Sequence, residues 1–182
     1  MQDLSSWVLQ TLRHDASHPT WLEERKFEWI PLLKRALQRI FNGDSLILVT
    51  DYEREWFMHY VVQSINRSNN RPYVPIIAID ALFSKIDKVS HKDETEIALI
   101  HDYLNNIFSH KYCFWYVGRN DVLRAKLALS HEDGFLWMFD TSLQNSFTLQ
   151  STDSLVDIKL IQMYRIFNLA LEAVMFGNVR LE

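Results

Sequence analysis

The chain has 182 residues, with 19 Lys and Arg against 23 Asp and Glu, and a formal net charge of −4. That balance argues against a protein held to DNA mainly by its own phosphate contacts, which needs a basic excess, and leaves open one that works on DNA through a partner. Cys113 is the sole cysteine, so an intrachain disulfide and a multi-cysteine zinc site are excluded.

The four glycines, Gly43, Gly118, Gly134 and Gly177, lie too far apart for a P-loop, a dinucleotide loop or a nucleophile elbow. Hydrophobic residues make up 48% and charged residues 23% of the chain, the balance of a globular protein and not of a disordered one. One domain, residues 1–182, is expected.

In chain order, residues 3–14 place Leu4, Trp7, Val8 and Leu12 on one face of a helix. This stretch has no basic leader, and no apolar run approaches the about 18 residues of a membrane span; the expected compartment is the cytoplasm. Thr20-Trp21-Leu22-Glu23 has the form of a capping box and opens a long helix to Phe41, closed by Asn42-Gly43. Residues 46–49 form an unbroken apolar run, which predicts a strand covered on both faces. Thr50-Asp51 can cap a helix carrying Trp56, Phe57, Tyr60, Val61 and Ile65. Residues 75–79 predict a second strand, 85–93 a charged surface connection, and 93–108 a helix.

Residues 113–117 and 135–139 predict a third and a fourth strand, with a short helix at 121–129 between them. Residues 147–149 can add a fifth strand, and the last helix spans 153–176. Strands alternating with helices predict an α/β fold with a parallel sheet and helices on both faces.

The last helix has more apolar surface than one sheet face needs. Leu160, Met163, Tyr164, Phe167, Leu171 and Val174 form one stripe. Leu155, Ile158, Ile166, Leu169, Ala173 and Phe176 form another, on a different side. The second stripe can meet the N-terminal helices of the same chain or another subunit.

In an open α/β sheet, ligands bind beyond the carboxyl ends of the strands. Those ends carry Thr50, Asp51, Glu53 and Arg54, then Asp80, then Gly118, Arg119, Asn120 and Asp121, then Asp140 and Thr141. Asp51, Asp80 and Asp140 could converge on a hard cation; alternatively Asp51 and Asp140 cap helices or turns. His14 and His18 are expected at the surface, His59 packed or at a rim, and Cys113 buried and inert. No nucleophile has a base at a recognisable spacing. Catalytic, cofactor and metal residues are therefore expected to be none.

Several strings together carry a family resemblance. They are Ser45-Leu46-Ile47-Leu48-Val49-Thr50-Asp51, Trp56-Phe57, Arg71-Pro72, Phe114-Trp115-Tyr116-Val117-Gly118, Phe135-Leu136-Trp137, and Asp153-Ser154-Leu155 leading into Asp157-Ile158-Lys159-Leu160. In this order and spacing, over nearly the whole chain, the set resembles the HobA family of bacterial regulators of replication initiation. The resemblance implies a three-layer, modified Rossmann-like fold related to sugar isomerase (SIS) domains, and a homotetramer. It implies binding to the N-terminal region of the initiator DnaA, so that several DnaA molecules are held together at the origin, with DNA contacted only through DnaA. It implies neither enzymatic activity nor a cofactor.

The docking surface expected for DnaA is the rim holding Tyr52, Glu53, Arg54 and Glu55, with Arg119 and Asp121 beside it, a charged, aromatic-containing region on a rigid scaffold. The expected oligomer interface holds Leu155, Ile158, Ile166, Leu169 and Phe176. The alternative, by fold analogy alone, is a sugar-phosphate-binding or isomerase-type protein. Against it, Thr50, Thr141 and Ser142 are the only hydroxyls directly after the strands, and the loops are poor in glycine.

Overall fold

The unbroken apolar runs become strands of one parallel sheet in the computed structural model, which describes residues 2–17, 19–67, 70–83, 94–109, 111–131 and 133–181. The elements are β1 (Gln2–Asp3), α1 (Leu4–His14), α2 (Thr20–Glu24), α3 (Lys26–Phe41), β2 (Ser45–Thr50), a 3-10 turn (Tyr52–Arg54), α4 (Glu55–Ser64), β3 (Ile76–Ala78), α5 (Ile79–Leu82), α6 (Glu94–Phe108), β4 (Tyr112–Arg119), α7 (Leu123–Leu129), β5 (Phe135–Phe139), β6 (Ser146–Leu149), α8 (Val156–Met175) and β7 (Val179–Arg180). The sheet order is β3-β2-β4-β5-β6, and every neighbouring pair is parallel. The chain leaves β2 toward β3, then crosses back to place β4 on the other side. The order thus reverses between β2 and β4, the switch point at which α/β sheets open a crevice. A second, two-stranded sheet ties β1 to β7.

Side chains alternate across a strand, and β4 shows which helices lie on which face. Phe114 meets the rings of His101 on α6 and His131 after α7, each at 5.8 Å. Trp115 points the other way, onto Phe57 of α4 at 6.2 Å and Phe167 of α8 at 5.0 Å. On that second face Trp29 of α3 packs against Phe135, Trp137 and Phe147. The result is three layers: α3, α4 and α8 on one side, the sheet, then α6 and α7. Each fully buried large apolar side chain contributes about 1.5–3 kcal/mol, and the buried ones form one continuous cluster.

Several expectations shift. The helix predicted from Thr20 to Phe41 is broken at Arg25. Thr20 does not cap it; Pro19 holds the cap position without a side-chain bond. The break lets Arg25 lay its guanidinium 3.9 Å above the Phe147 ring and donate to the Thr148 carbonyl. Asp3, expected as the first helical residue, is instead the cap of α1, accepting from the Ser6 N–H. The second strand ends at Ala78, and Ile79 begins a one-turn helix. The last helix begins at Val156, after Asp153 has bound the Leu155 N–H. The predicted connection at 85–93 and His18 lie outside the described residues.

The fifth strand arrives by an unusual route. Parallel neighbours ordinarily need a crossover of a dozen residues or more, yet only residues 140–145 separate β5 from β6. Asp140 and Asn145 hold φ of 59° and 60° and make the two sharp reversals; Asp and Asn tolerate that left-handed region better than most residues. The returning arm is tied to β6 by Asp140 N–H to the Leu149 carbonyl and Leu143 N–H to Ser146 Oγ.

The two stripes of α8 have different fates. Leu160, Met163, Tyr164, Phe167 and Leu171 enter the core. On the second stripe Ile166 and Ala173 are buried as well, and Leu169 lines a groove with Trp7 and Thr11 of α1. Asp15–Arg165 (3.0 Å) and Trp21–Gln162 (2.7 Å) bonds fasten the N-terminal segment along α8. The expectation that Ile166 faces another subunit is therefore corrected: its side chain belongs to the chain's own core. Leu155, Ile158 and Phe176 remain exposed. Among the described residues, no helix is long and apolar enough to cross a membrane.

Candidate functional site

The switch point is closed from within. Asp51 follows β2 and caps the 3-10 turn by accepting the Arg54 N–H at 3.1 Å. Its other carboxylate oxygen takes the Arg54 guanidinium at 2.7 Å and the Arg119 N–H, from the end of β4, at 2.9 Å. One carboxylate thus ties the ends of both switch-point strands together. That contact requires Gly118: a Cβ there would lie 2.7 Å from the Tyr116 hydroxyl and 2.9 Å from the Asp51 side chain. The Tyr116 hydroxyl donates to the Arg119 carbonyl at 2.6 Å. Burial, then the nearby Asp51 charge, pushes its pKa far up, so it remains a neutral donor.

Two arginines fill the space where a ligand would sit. Arg54 is only 5% exposed and stacks 3.9 Å above the Phe139 ring. Arg124 is 2% exposed. It reaches Glu55 at 3.0 Å, Asp80 at 3.7 Å and the Thr50 carbonyl at 3.3 Å, beneath the Tyr52 ring. Burying such charges demands partners on every side, and here the partners come from β2, the 3-10 turn, α4, α5 and β5.

The carboxylates expected at the strand ends thus go to separate arginines. Asp51 is held by Arg54, Asp80 by Arg124, and Asp140 by Arg119 at 3.5 Å. Asp140 also accepts the Ser151 N–H, which together with the Ser151 side chain holds its pKa below the usual carboxylate value. No cluster of three metal-ligating side chains occurs among the described residues. Thr50 is fully buried, whereas Thr141 and Ser142 lie toward the surface. A cavity of about 490 Å³ remains beside β5, lined by Arg119, Asn120, Asp121, Phe139, Asp140 and Thr141. His14 and His59 are exposed. Burial pushes the Cys113 thiol up to about 11, so it is an inert core residue.

Of the expected docking residues, Tyr52, Glu53, Arg119 and Asp121 reach the surface together at this end of the sheet, and Glu55 is half-buried. Arg54 differs: its guanidinium lies beneath the rim, paired to Asp51 and, at 2.8 Å, to Glu53. Glu53 is held from the other side by Arg119 at 3.3 Å. Sequence reasoning missed Arg124 and Phe139. The available signal was a charged residue on the apolar face that Arg124 shares with Leu127 and Ala128.

Fold and site together define a three-layer α/β protein whose switch-point crevice is closed by its own side chains, with a charged rim standing over it. The comparisons narrow this class. Over residues 1–181 the chain matches the HobA family, described as a DNA replication regulator, and it belongs to that family. It is similar to the DNA replication regulator protein HobA of Helicobacter pylori, 28% identical over 189 residues with both chains covered in full. The crystal structure of HobA from that organism superposes with a TM-score of 0.75 at 25% identity, over 99% of each chain. A complex of H. pylori HobA with DnaA domains I–II gives 0.74 at 24% identity, also over 99% of each.

Proposed function

We propose that this chain is a non-enzymatic adaptor that binds the N-terminal region of the initiator DnaA and, as a homotetramer, gathers DnaA molecules at the replication origin. The observation that carries it is the closed switch point: in a member of a family of replication regulators, the place where this fold would bind a substrate is filled by Arg54 and Arg124. The H. pylori relative was crystallised with DnaA domains I–II. Residues 1–182 act as one cytoplasmic domain without a cofactor, and DNA is reached only through DnaA.

The mechanism is multivalency. A rigid oligomer presents identical rims and raises the effective concentration of the initiators it holds. Tyr52, Glu53, Arg119 and Asp121 form the docking rim, with Glu55 at its edge and Arg54 as its buried support. Leu155, Ile158 and Phe176, exposed on and beside α8, form a subunit interface, with Leu169 at its margin.

Light scattering on a sizing column, with and without the DnaA N-terminal region, tests this. A mass near four chains that rises by several DnaA units is expected; a monomer indifferent to DnaA would overturn the proposal. The exchange Glu53→Lys with Arg119→Glu keeps the pair's mutual attraction but inverts the field of the rim. It should weaken DnaA binding about tenfold, or about 1.4 kcal/mol. Unchanged affinity would place the contact elsewhere. A sugar phosphate is disfavoured because Asp121 and Asp140 line the remaining cavity beside Arg119. A phosphosugar panel should leave the melting temperature unmoved, whereas a ligand at 100 times its Kd would stabilise by about 2.7 kcal/mol.

A further inference from the structure

We propose that the groove between the end of α3 and β7 is a binding site for a nucleoside di- or triphosphate, with Arg35, Arg39 and Arg180 at its phosphates and Phe41 at its base. The groove lies apart from the rim proposed for DnaA, and the site does not rest on that reading.

The groove holds about 980 Å³, twice the space left beside β5, and is ample for a small molecule. Contacts distant along the chain make it. β7 pairs with β1, and the Gln38 side chain donates to the Leu181 carbonyl at 3.2 Å, which fastens the end of this strand to α3. Arg180 thereby joins Arg35 and Arg39 around one cavity.

Three guanidiniums thus line one groove in a chain whose net charge is −4. Arg39 has its own partners: it pairs with Asp44 at 3.1 Å and lies in the last turn of α3, where a cation complements the helix dipole. Arg35 and Arg180 come from different elements, and neither has an ion pair among the described residues. Two like charges facing one cavity repel, and a ligand of two or more negative charges turns that repulsion into attraction. The planar fork of Arg matches phosphate oxygens. It supplies the donors that a glycine-rich loop would otherwise give.

The rest of the lining suits a base. Phe41 is 41% exposed, and an open aromatic face stacks on any nucleobase. Val174 and Leu181 extend the apolar surface, and the Asn42 amide offers a donor and an acceptor in one group. An acidic peptide would satisfy the arginines but leave the ring without a partner. A phosphosugar has neither a base nor a second phosphate, so the groove does not alter the outcome expected of the phosphosugar panel.

Asn42 precedes β2 and Tyr52 follows it. At about 3.3 Å per residue, the strand sets the groove about 20 Å from the rim, so the nucleotide and DnaA can be held together.

The test is isothermal titration of the full chain, free of divalent cations and at low salt, with ATP, GTP, inorganic triphosphate and a poly-glutamate peptide. ATP and GTP should bind once per chain, and more weakly as salt is added. Arg35→Gln with Arg180→Gln should weaken ATP binding about tenfold or more. Phe41→Ala should weaken it about fivefold or more while leaving inorganic triphosphate unchanged. Circular dichroism checks that these variants keep the fold. Inorganic triphosphate binding as tightly as ATP, or ATP indifferent to Phe41→Ala, would show a site for phosphate alone and overturn the nucleotide. Binding of the peptide alone would overturn it in favour of an acidic protein segment. If none of the four binds, or if ATP ignores the double arginine variant, there is no such site. None of these outcomes touches the DnaA adaptor, whose test is the mass of its complex.

Discussion

At the scale of single residues, the closed switch point depends on fit and on paired charge. Gly118→Ala would drive a methyl group into the Tyr116 hydroxyl and Asp51. Overpacking of this kind costs about 1–3 kcal/mol, which urea denaturation would register. Arg54→Ala would leave Asp51 buried with the Arg119 N–H but no guanidinium. Breaking one side of a buried pair costs about 3–5 kcal/mol, so this variant should be among the least stable of the site. Glu53→Gln, on the exposed side of the same network, should cost under about 1 kcal/mol by the same denaturation.

His101 adds a dependence on pH. The Ser130 hydroxyl donates to the Leu127 carbonyl at 2.8 Å, so its oxygen accepts from His101 Nε2–H at 2.7 Å. Nδ1 is then free to accept from the Tyr112 hydroxyl at 3.0 Å, an assignment made from the hydrogen-bond network. Burial lowers the His101 pKa below its ordinary 6.5, the neighbouring His131 lowers it further, and Asp102 opposes them. The folded state therefore favours the neutral ring, while the unfolded chain takes up a proton near 6.5. The resulting stability is complete above that value and is lost as pH falls toward the folded pKa. Urea midpoints at about pH 7.5 and about pH 5.5 should differ for the wild type, and by less for His101→Gln.

At the scale of elements, α8 shows how one sequence pattern divides. Helical periodicity assigns Ile158 and Ile166 to the same stripe, but the packing of α1 and the core takes Ile166 and leaves Ile158 exposed. Ile166→Ala should cost about 2–5 kcal/mol at any protein concentration, because it opens a cavity in the core. Ile158→Ala should lower the melting temperature only through lost association, so that its effect fades on dilution. Equal, concentration-independent losses would show that Ile158 serves the protomer alone.

At the scale of the whole molecule, charge and shape act together. The chain carries a net charge of −4, and the proposed docking rim combines the charges of Glu53, Arg119 and Asp121 with the exposed Tyr52. Contacts of this kind chiefly affect association rate and its response to salt. Binding of the DnaA N-terminal region should therefore slow as ionic strength rises in stopped-flow measurements, and Glu53→Lys with Arg119→Glu should change that salt slope. An anchor carried by Tyr52 would act mainly on dissociation, so Tyr52→Ala should shorten the lifetime of the complex.

Local residue patterns determined most of the secondary structure, though not the break at Arg25 or the helical turn at Ile79. The apolar runs at 46–49, 113–117 and 135–139 had no other economical place than a strand covered on both faces, and the alternation with helices entailed a parallel sheet. Absent glycine loops and a single cysteine set aside whole classes of chemistry before any fold was known. The strings that resemble the HobA family marked it because they are spread along nearly the whole chain, and the family matches over residues 1–181. Only the tertiary structure decided which charged residues stay in water. Arg54, Arg119 and Arg124 look alike in sequence, yet Arg119 reaches the rim while Arg54 and Arg124 are buried, because their burial depends on carboxylates and rings brought by other strands and helices. The same holds for α8: periodicity records that the helix has two apolar faces, but the neighbours that cover the first and only part of the second are set by contacts distant along the chain.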